Sequence, residues 1–373
     1  MKNIGITGQS GFIGYHLSNT LKLYKEKYNL INFENYYFNN EKLLENFAKN
    51  CDVIIHLAAV NRHKDPNYIY KTNTDLVKKL INACEKANNK PHIIFSSSIQ
   101  EDLNNEYGKS KAEGRKLFEN FARQNNSDFT ALIIPNVFGP FSKPFYNSFI
   151  ATFCYQIANN KQPEIIVDNK VKLIYVNDLV KKTIDIIDNT KGINTISITA
   201  PFEIRVSDTI NILENFKKIY LTCGNIPDIS DDFTNKLFKT FLTYIDIKSF
   251  YPVSLKKNTD SRGVFVELIK TYNKGQISFS TTKPQITRGN HFHLNKFERF
   301  AVIKGTAQIQ LRKIGTNEVI TYKLSGDNPA FVDIPVWYTH NLTNIGNDDL
   351  YTIFWCDELY NEQYPDTYFE IVK

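Results

Sequence analysis

The chain has 373 residues, 42% of them hydrophobic and 23% charged, a composition that builds a sizeable core and excludes disorder as the main theme. Lys and Arg outnumber Asp and Glu by 45 to 39, a net +6 with the signs interspersed. Without a long Lys/Arg block, neither nucleic acid nor insertion into a membrane is expected, whereas anionic small substrates are suited. Five scattered cysteines without Cys-x-x-Cys spacing argue against a disulfide framework or a cysteine zinc site. No secretory leader or membrane-length apolar run is evident, so the expected location is the cytoplasm.

Apolar β-branched runs at Asn3–Thr7, Asp52–Ala58, His92–Ser97, Thr130–Pro135 and Asn194–Thr199 alternate with helical patterns such as Thr72–Ala87 and Lys109–Arg123. Strands apolar on both faces and separated by helices predict a doubly wound parallel sheet, an α/β Rossmann-type domain. Within it, Gly8-Gln9-Ser10-Gly11-Phe12-Ile13-Gly14 follows the first strand and opens a helix. Such glycines let backbone N–H groups approach a pyrophosphate, making this turn a candidate dinucleotide site. The second strand, Tyr28–Phe33, is followed by Glu34, which either meets a ribose 2′-OH or is a surface residue, and no Arg or Lys stands there for a 2′-phosphate. The choice between NADPH and NADH stays open.

Ile93-Ile94-Phe95-Ser96-Ser97-Ser98 brings hydroxyls to the carboxyl edge of the sheet, where open α/β folds bind ligands and where a hydroxyl can bond a carbonyl that gains negative charge. Tyr107 and Lys111 lie one helical turn apart on one face. The ammonium, together with a positive cofactor ring, is expected to lower the phenol toward working pH.

A last helical stretch, Phe233–Ile245, closes the first domain (1–245), with a boundary near 246–252. The second domain (246–373) holds short Val/Ile/Tyr/Phe/Thr-rich segments split by turns such as Lys274-Gly275 and Gly315-Thr316-Asn317, which predict an antiparallel sandwich or barrel. It carries His291 and His293, two apart and therefore on one strand face, then Glu298, and later His340. Three imidazoles and a carboxylate around an open position suit Zn²⁺, with Fe²⁺, Mn²⁺ or Ni²⁺ as alternatives.

The first domain resembles the extended short-chain dehydrogenase/reductase family through its glycine turn, the serine run, Tyr107-Gly108-Lys109-Ser110-Lys111, His56-Leu57-Ala58-Ala59, Pro135-Asn136-Val137-Phe138-Gly139-Pro140 and Tyr175-Val176-Asn177-Asp178. The resemblance implies Tyr107 as acid/base, Lys111 as its partner and Ser98 as hydroxyl donor, with Ser97 the fallback. It further implies cofactor contacts from Leu57, Ala58, Ala59, Asn73 and Pro135, and substrate contacts from Ser97, Asn136, Tyr146 and Asn147. Arg205 is a weaker phosphate partner. The arginine that often precedes the Pro-Asn segment is missing from Leu132-Ile133-Ile134.

The second domain resembles the cupins, jelly-roll barrels, in His-x-His-x-x-x-x-Glu followed by Gly305, and in Pro335, His340 and Asn344. Trp337 stands where the second motif often has glycine; such an indole could narrow the pocket or stack on a sugar. The two modules in series resemble the bifunctional, CapF-like capsular polysaccharide assembly enzymes. That resemblance implies a homodimer that uses NADPH or NADH on a UDP-linked 4-keto-6-deoxy-N-acetyl sugar. The cupin would invert C3 and the reductase would reduce C4, giving UDP-N-acetyl-6-deoxy-talosamine; the base at C3 is not identified by the sequence, where Tyr338 and Lys296 are candidates that rank behind an ordinary structural role. The competing expectation is a nucleotide-sugar reductase, epimerase or dehydratase whose cupin is a structural dimerisation scaffold.

Overall fold

The structure is a computed structural model that describes residues 1–255, 258–260, 263–265, 268–269, 271, 275–358, 361 and 363–373. Lys274 of one expected turn lies outside the described residues. Two compact units are formed, one from residues 1–138, 142–149 and 169–205, the other from 139–141, 150–168 and 206–373. The stretch 206–245, read from sequence with the first domain, falls in the second unit.

The first unit contains β1 (Lys2–Thr7), β2 (Tyr28–Ile31), β3 (Val53–His56), β4 (His92–Ser98), β5 (Phe129–Ile134), β6 (Asn136–Phe138), β7 (Lys170–Tyr175), β8 (Ile193–Ser197) and β9 (Phe202–Arg205). Its main sheet runs β2-β1-β3-β4-β5-β8, all parallel. Successive residues of one strand feed opposite faces. Ile54, Ile93 and Phe95 join one core with Phe47, Val77 and Phe118. Val53, Ile55 and Ile94 join the other with Leu17, Leu179 and Val180. Both faces are thus covered, the expected doubly wound architecture, and each fully buried large side chain contributes about 1.5–3 kcal/mol.

Helices α1 (Phe12–Leu21), α2 (Glu41–Lys49), α3 (Pro66–Lys86), α4 (Glu106–Asn125) and α6 (Val176–Asn189) flank the strands, with α5 (Phe149–Ala158) between α4 and α6 in the chain. Two helices begin earlier than their periodicity predicts, because polar caps reach past the apolar stripe. Asp65 caps α3, with Pro66 at its first turn, and Asn105 Oδ1 accepts from Gly108 N at 2.8 Å to cap α4. The smaller sheet β6-β7-β9 was not read from sequence.

Besides most of α5, the second unit contains helices α7 (Val206–Phe216), α8 (Asp232–Leu242) and α9 (Ile247–Phe250). There follow β10 (Val253–Ser254), β11 (Asn258–Asp260), β12 (Gly263–Phe265), β13 (Gln276–Thr282), β14 (Thr287–Phe292), β15 (Glu298–Lys304), β16 (Thr306–Lys313) and β17 (Val319–Ser325). The last four strands are β18 (Ala330–Ile334), β19 (Tyr338–Asn344), β20 (Leu350–Cys356) and β21 (Tyr368–Phe369). Two five-stranded sheets, β10-β18-β15-β20-β13 and β17-β16-β19-β14-β21, give the all-β cupin architecture. Cross-strand neighbours Ala307–Leu324 and Ile309–Tyr322 point into a core shared with Ala301, Phe331 and Leu342.

One buried ion pair stands out in this unit. Arg299 grips Asp333 with bonds of 2.7 and 2.9 Å and donates to Gly224 O at 2.6 Å. Asp333 also accepts from Tyr220, so both charges are fully engaged, as buried charges must be. No helix among the described residues is long and apolar enough to cross a membrane.

Candidate active site and metal centre

In β2-β1-β3 the strand order reverses beside β1, and ligands of open α/β sheets bind at the carboxyl ends of such strands. Both the glycine turn and the segment after β3 sit there. Gly8 has φ +78°, and a Cβ on it would meet Ala58 N at 2.8 Å. On Gly14 a Cβ would meet Gly8 O at 2.2 Å. The turn is closed by Gly11 N donating to Gly8 O at 2.9 Å. Gly11 then serves as an N-cap without a side chain, and α1 has no acidic residue in its first turn. The N–H groups beside Phe12 and Ile13 therefore carry the positive end of the helix dipole with no carboxylate opposing an anion.

The wall opposite is held from behind. Leu57 N and Ala58 N donate to Thr7, through its carbonyl at 3.1 Å and its hydroxyl at 3.4 Å. Thr7 Oγ1 also bonds His56 Nδ1 at 2.9 Å; burial, then Lys111, drives this imidazole down to about 3. Asn73 clamps the strand's extension rather than reaching outward. It accepts from Val60 N at 2.7 Å and donates to Val60 O at 3.1 Å and Ser110 Oγ at 3.0 Å. Ala59 is half-buried and Pro135 buried, whereas Glu34 is exposed.

Tyr107 and Lys111 face one way from α4, with the Lys111 Nζ 5.6 Å from the Tyr107 ring centre. Lys111 is buried. Its ammonium donates to Ser96 O at 2.8 Å, and burial lowers it to about 8 against the opposing pull of Glu101. Burial, assisted by Tyr146, raises Tyr107 to about 12 in the chain by itself, because desolvating a phenolate outweighs an ammonium committed to a carbonyl; the expected lowering also counts on the positive nicotinamide ring. In this chain on its own Tyr107 is therefore a stored proton.

The three serines differ. Ser96 Oγ donates to His56 O at 3.0 Å. Ser97 Oγ donates to Glu101, whose carboxylate is gripped by Arg115 with bonds of 3.0 and 2.8 Å. Ser98 Oγ accepts from Gln100 N at 3.1 Å, which leaves its proton available to donate. The Glu101–Arg115 clamp escaped sequence reading; its 14-residue separation carries no local signal. Asn136 and Asn147 are exposed and Tyr146 is half-buried, its ring 5.7 Å from Lys143 Nζ. Arg205, at the end of β9, is exposed.

In the second unit the ligand atoms of His291, His293, Glu298 and His340 all lie within 4.8 Å of one another. His291 and His340 are paired across β14 and β19 after a bulge at Gly289, where φ is +98° and a Cβ would meet His340 O at 2.8 Å. Glu298 arrives from the facing sheet at the start of β15. Its Oε2 is 3.2 Å from His293 Nε2 and 3.3 Å from His340 Nε2. Burial opposes the carboxylate, but the two imidazoles outweigh it and hold Glu298 well below the usual range. Burial, then the neighbouring imidazoles, pushes His291 down to about 3. His293 Nε2, His340 Nε2 and Glu298 Oε2 are buried and converge on one another, a donor set that fits a divalent cation.

Around these donors, one expectation changes. Trp337 is fully buried, its ring stacked on Phe292 at 5.7 Å. It is a wall of the fold and is not placed to stack on a sugar. Its φ of +64° explains why glycine suits the position, and its backbone N–H donates to His293 O at 2.9 Å. Lys296 commits its ammonium to Pro365 O at 2.9 Å and Thr367 Oγ1 at 3.3 Å, which disfavours it as a proton acceptor. Burial raises Tyr338 to about 12.

Residues 4–198 match the NAD dependent epimerase/dehydratase family, and residues 258–368 match the polysaccharide biosynthesis C-terminal domain. The chain is 32% identical over 372 residues, 97% of each protein, to a UDP-2-acetamido-2,6-beta-L-arabino-hexul-4-ose reductase of Pseudomonas aeruginosa. The crystal structure of the capsular polysaccharide assembling protein CapF from Staphylococcus aureus is similar over 100% of both chains, at 34% identity and a TM-score of 0.63. A UDP-N-acetylglucosamine 4-epimerase from Bacillus cereus shares the fold over 58% of this chain and 81% of its own, at 20% identity and a TM-score of 0.51.

Fold, glycine turn and Tyr/Lys helix together define an NAD(P)-dependent nucleotide-sugar reductase/epimerase of the extended short-chain dehydrogenase type. More narrowly, the chain belongs to the NAD dependent epimerase/dehydratase family and, within it, to the bifunctional CapF-like proteins.

Proposed function

We propose that the chain converts a UDP-4-keto-6-deoxy-N-acetyl-hexosamine in two steps. The second unit inverts C3, and the first reduces C4 with NADPH, giving UDP-N-acetyl-6-deoxy-talosamine for N-acetyl-fucosamine in capsule or O-antigen. The observation that carries the two-step reading is the buried four-donor cage of His291, His293, Glu298 and His340, which ketone reduction in the first unit does not require. The reading includes Zn²⁺ in that cage, a cytoplasmic homodimer and a functional division at 1–245 and 246–373.

A C3–H bond beside a ketone is acidic only if the enolate oxygen is stabilised. The bound cation supplies positive charge for that oxygen. The cage residues hold the charge in place, while the C3 proton passes to a base on one face, leaving the enolate, and a solvent-derived proton is added to C3 on the other. For reduction, the bound nicotinamide supplies hydride to C4. Ser98 donates a hydrogen bond to the C4 oxygen, and Tyr107 transfers its proton to that oxygen as the C=O bond becomes an alcohol. Burial that keeps Tyr107 protonated suits this direction. Lys111 anchors the helix turn to Ser96 O and keeps positive charge near the phenol.

The test is deuterium incorporation at C3 when the keto-sugar is incubated in D₂O without nicotinamide. Exchange by the unaltered protein, lost in His291→Ala and Glu298→Ala, is expected, and no exchange in the unaltered protein overturns C3 catalysis. Tyr107→Phe is expected to abolish sugar-dependent NADPH oxidation while cofactor binding and C3 exchange persist; retained oxidation overturns the role given to the phenol.

A further inference from the structure

The chain's last residues return to the cage. Asp366 lies just before β21, which pairs with the His291 end of β14, and its φ is +44°. Its carboxylate collects three successive backbone N–H groups, Leu294 at 3.2 Å, Asn295 at 2.8 Å and Lys296 at 3.0 Å, together with the Asn295 side-chain amide at 3.3 Å. These are the residues that connect His293 to Glu298. Its own carbonyl meets His293 Nδ1 at 2.6 Å. A carbonyl can only accept, so Nδ1 donates this bond, which fixes the orientation of the ring whose Nε2 lies 3.2 Å from Glu298 Oε2.

We propose that Asp366 is the positioning residue of this cage. One residue folds the 294–296 loop onto its carboxylate and, through its carbonyl, orients the ring of His293. The inference rests on the cage being a metal site. Elsewhere the strap is tied down by different bonds. Arg312 donates to Val372 O at 2.9 Å and to Ile371 O at 2.7 Å, and Glu370 N donates to Asn290 O at 2.8 Å. Loss of the Asp366 side chain therefore removes the clasp on the loop without removing every anchor of the strap. Partners of this kind tune metal affinity by ~10–100-fold.

The experiment uses the full-length chain, freed of metal with a chelator, as the unaltered protein, Asp366→Ala, Asp366→Asn and the control Thr367→Val. Zn²⁺ affinity is measured by competition with a chromophoric chelator, and the fold of each metal-free variant by circular dichroism. The inference predicts Zn²⁺ affinity falling ~10–100-fold in Asp366→Ala. Asp366→Asn, which keeps one acceptor oxygen, should fall between, and Thr367→Val should match the unaltered chain. Should Asp366→Ala not fold, Asp366→Asn decides. Unaltered affinity in the folded variants, or an equal loss in Thr367→Val, overturns the proposal. Failure of the unaltered chain to bind Zn²⁺ overturns the metal reading on which the proposal rests.

Discussion

Gly108 offers the sharpest test of how Tyr107 is placed. A Cβ there would sit 1.9 Å from Gln100 O and 3.2 Å from Leu103 O. Both are backbone atoms of the turn that continues from Ser98, so no side chain can swing aside. Restoring ordinary contact requires the first turn of α4 to retreat by about 1.5 Å. The Asn105 cap on Gly108 N is disturbed at the same time. Overpacking of this sort costs ~1–3 kcal/mol, a modest loss for a helix otherwise buried through Phe118 and Phe121. Catalysis is more sensitive, because a ~1 Å misplacement of a reacting group costs ~100-fold. Gly108→Ala is therefore expected to fold, to bind nicotinamide, and to oxidise NADPH with the keto-sugar ~100-fold more slowly. Exchange at C3 should persist, since that chemistry is assigned to the other unit. A kcat within twofold of the unaltered enzyme would refute the reasoning that close approach of α4 to the 99–103 turn sets the position of the phenol.

Removing the Ser98 hydroxyl in Ser98→Ala is expected to lower kcat by ~100- to 1,000-fold, the effect of deleting one donor to a developing oxyanion. Ser97→Ala should cost far less, its proton being committed to Glu101; reversed sensitivities in steady-state kinetics would exchange the two roles. His56 provides a pH dependence. Its pKa in the folded chain lies near 3 against an ordinary 6.5, so between these values the unfolded chain binds the extra proton. Stability from this group is complete above pH 6.5 and is lost as pH falls toward 3, with a slope of up to about 1.4 kcal/mol per pH unit. Urea midpoints at pH 7.5 and 4.5 should show that loss and a shallower one in His56→Asn; equal slopes would remove His56 as its source.

Much of this protein was legible from local pattern. Strand and helix periods act over a few residues, so the parallel sheet, the antiparallel second half and the glycine turn could each be read where they stand. The His-x-His spacing worked for the same reason, because alternation in a strand places both rings on one side. Helix starts were read late where capping, rather than hydrophobic spacing, decided them.

Other features needed the folded chain, and they share one cause: they depend on burial or on partners distant in sequence. The sequence offered Lys111 and a positive cofactor ring as the charges acting on Tyr107, but not the desolvation, which depends on what packs over the ring and raises the phenol in the chain by itself. Trp337 looked like a pocket residue until Phe292 covered it. The resemblance ranked Ser98 ahead of Ser97 as hydroxyl donor, and the physical reason came from the fold: Glu101 accepts the hydrogen bond of Ser97, while Ser98 keeps its proton to donate. Asp366 meets His293 from 73 residues away. Sequence by itself determined which chemistry the chain carries, since residue type and short spacing encode donors, acceptors and strand faces. Tertiary structure alone decided which of those groups are desolvated, which are already bonded and which keep a proton to give, because each of these is a property of what lies within a few ångströms.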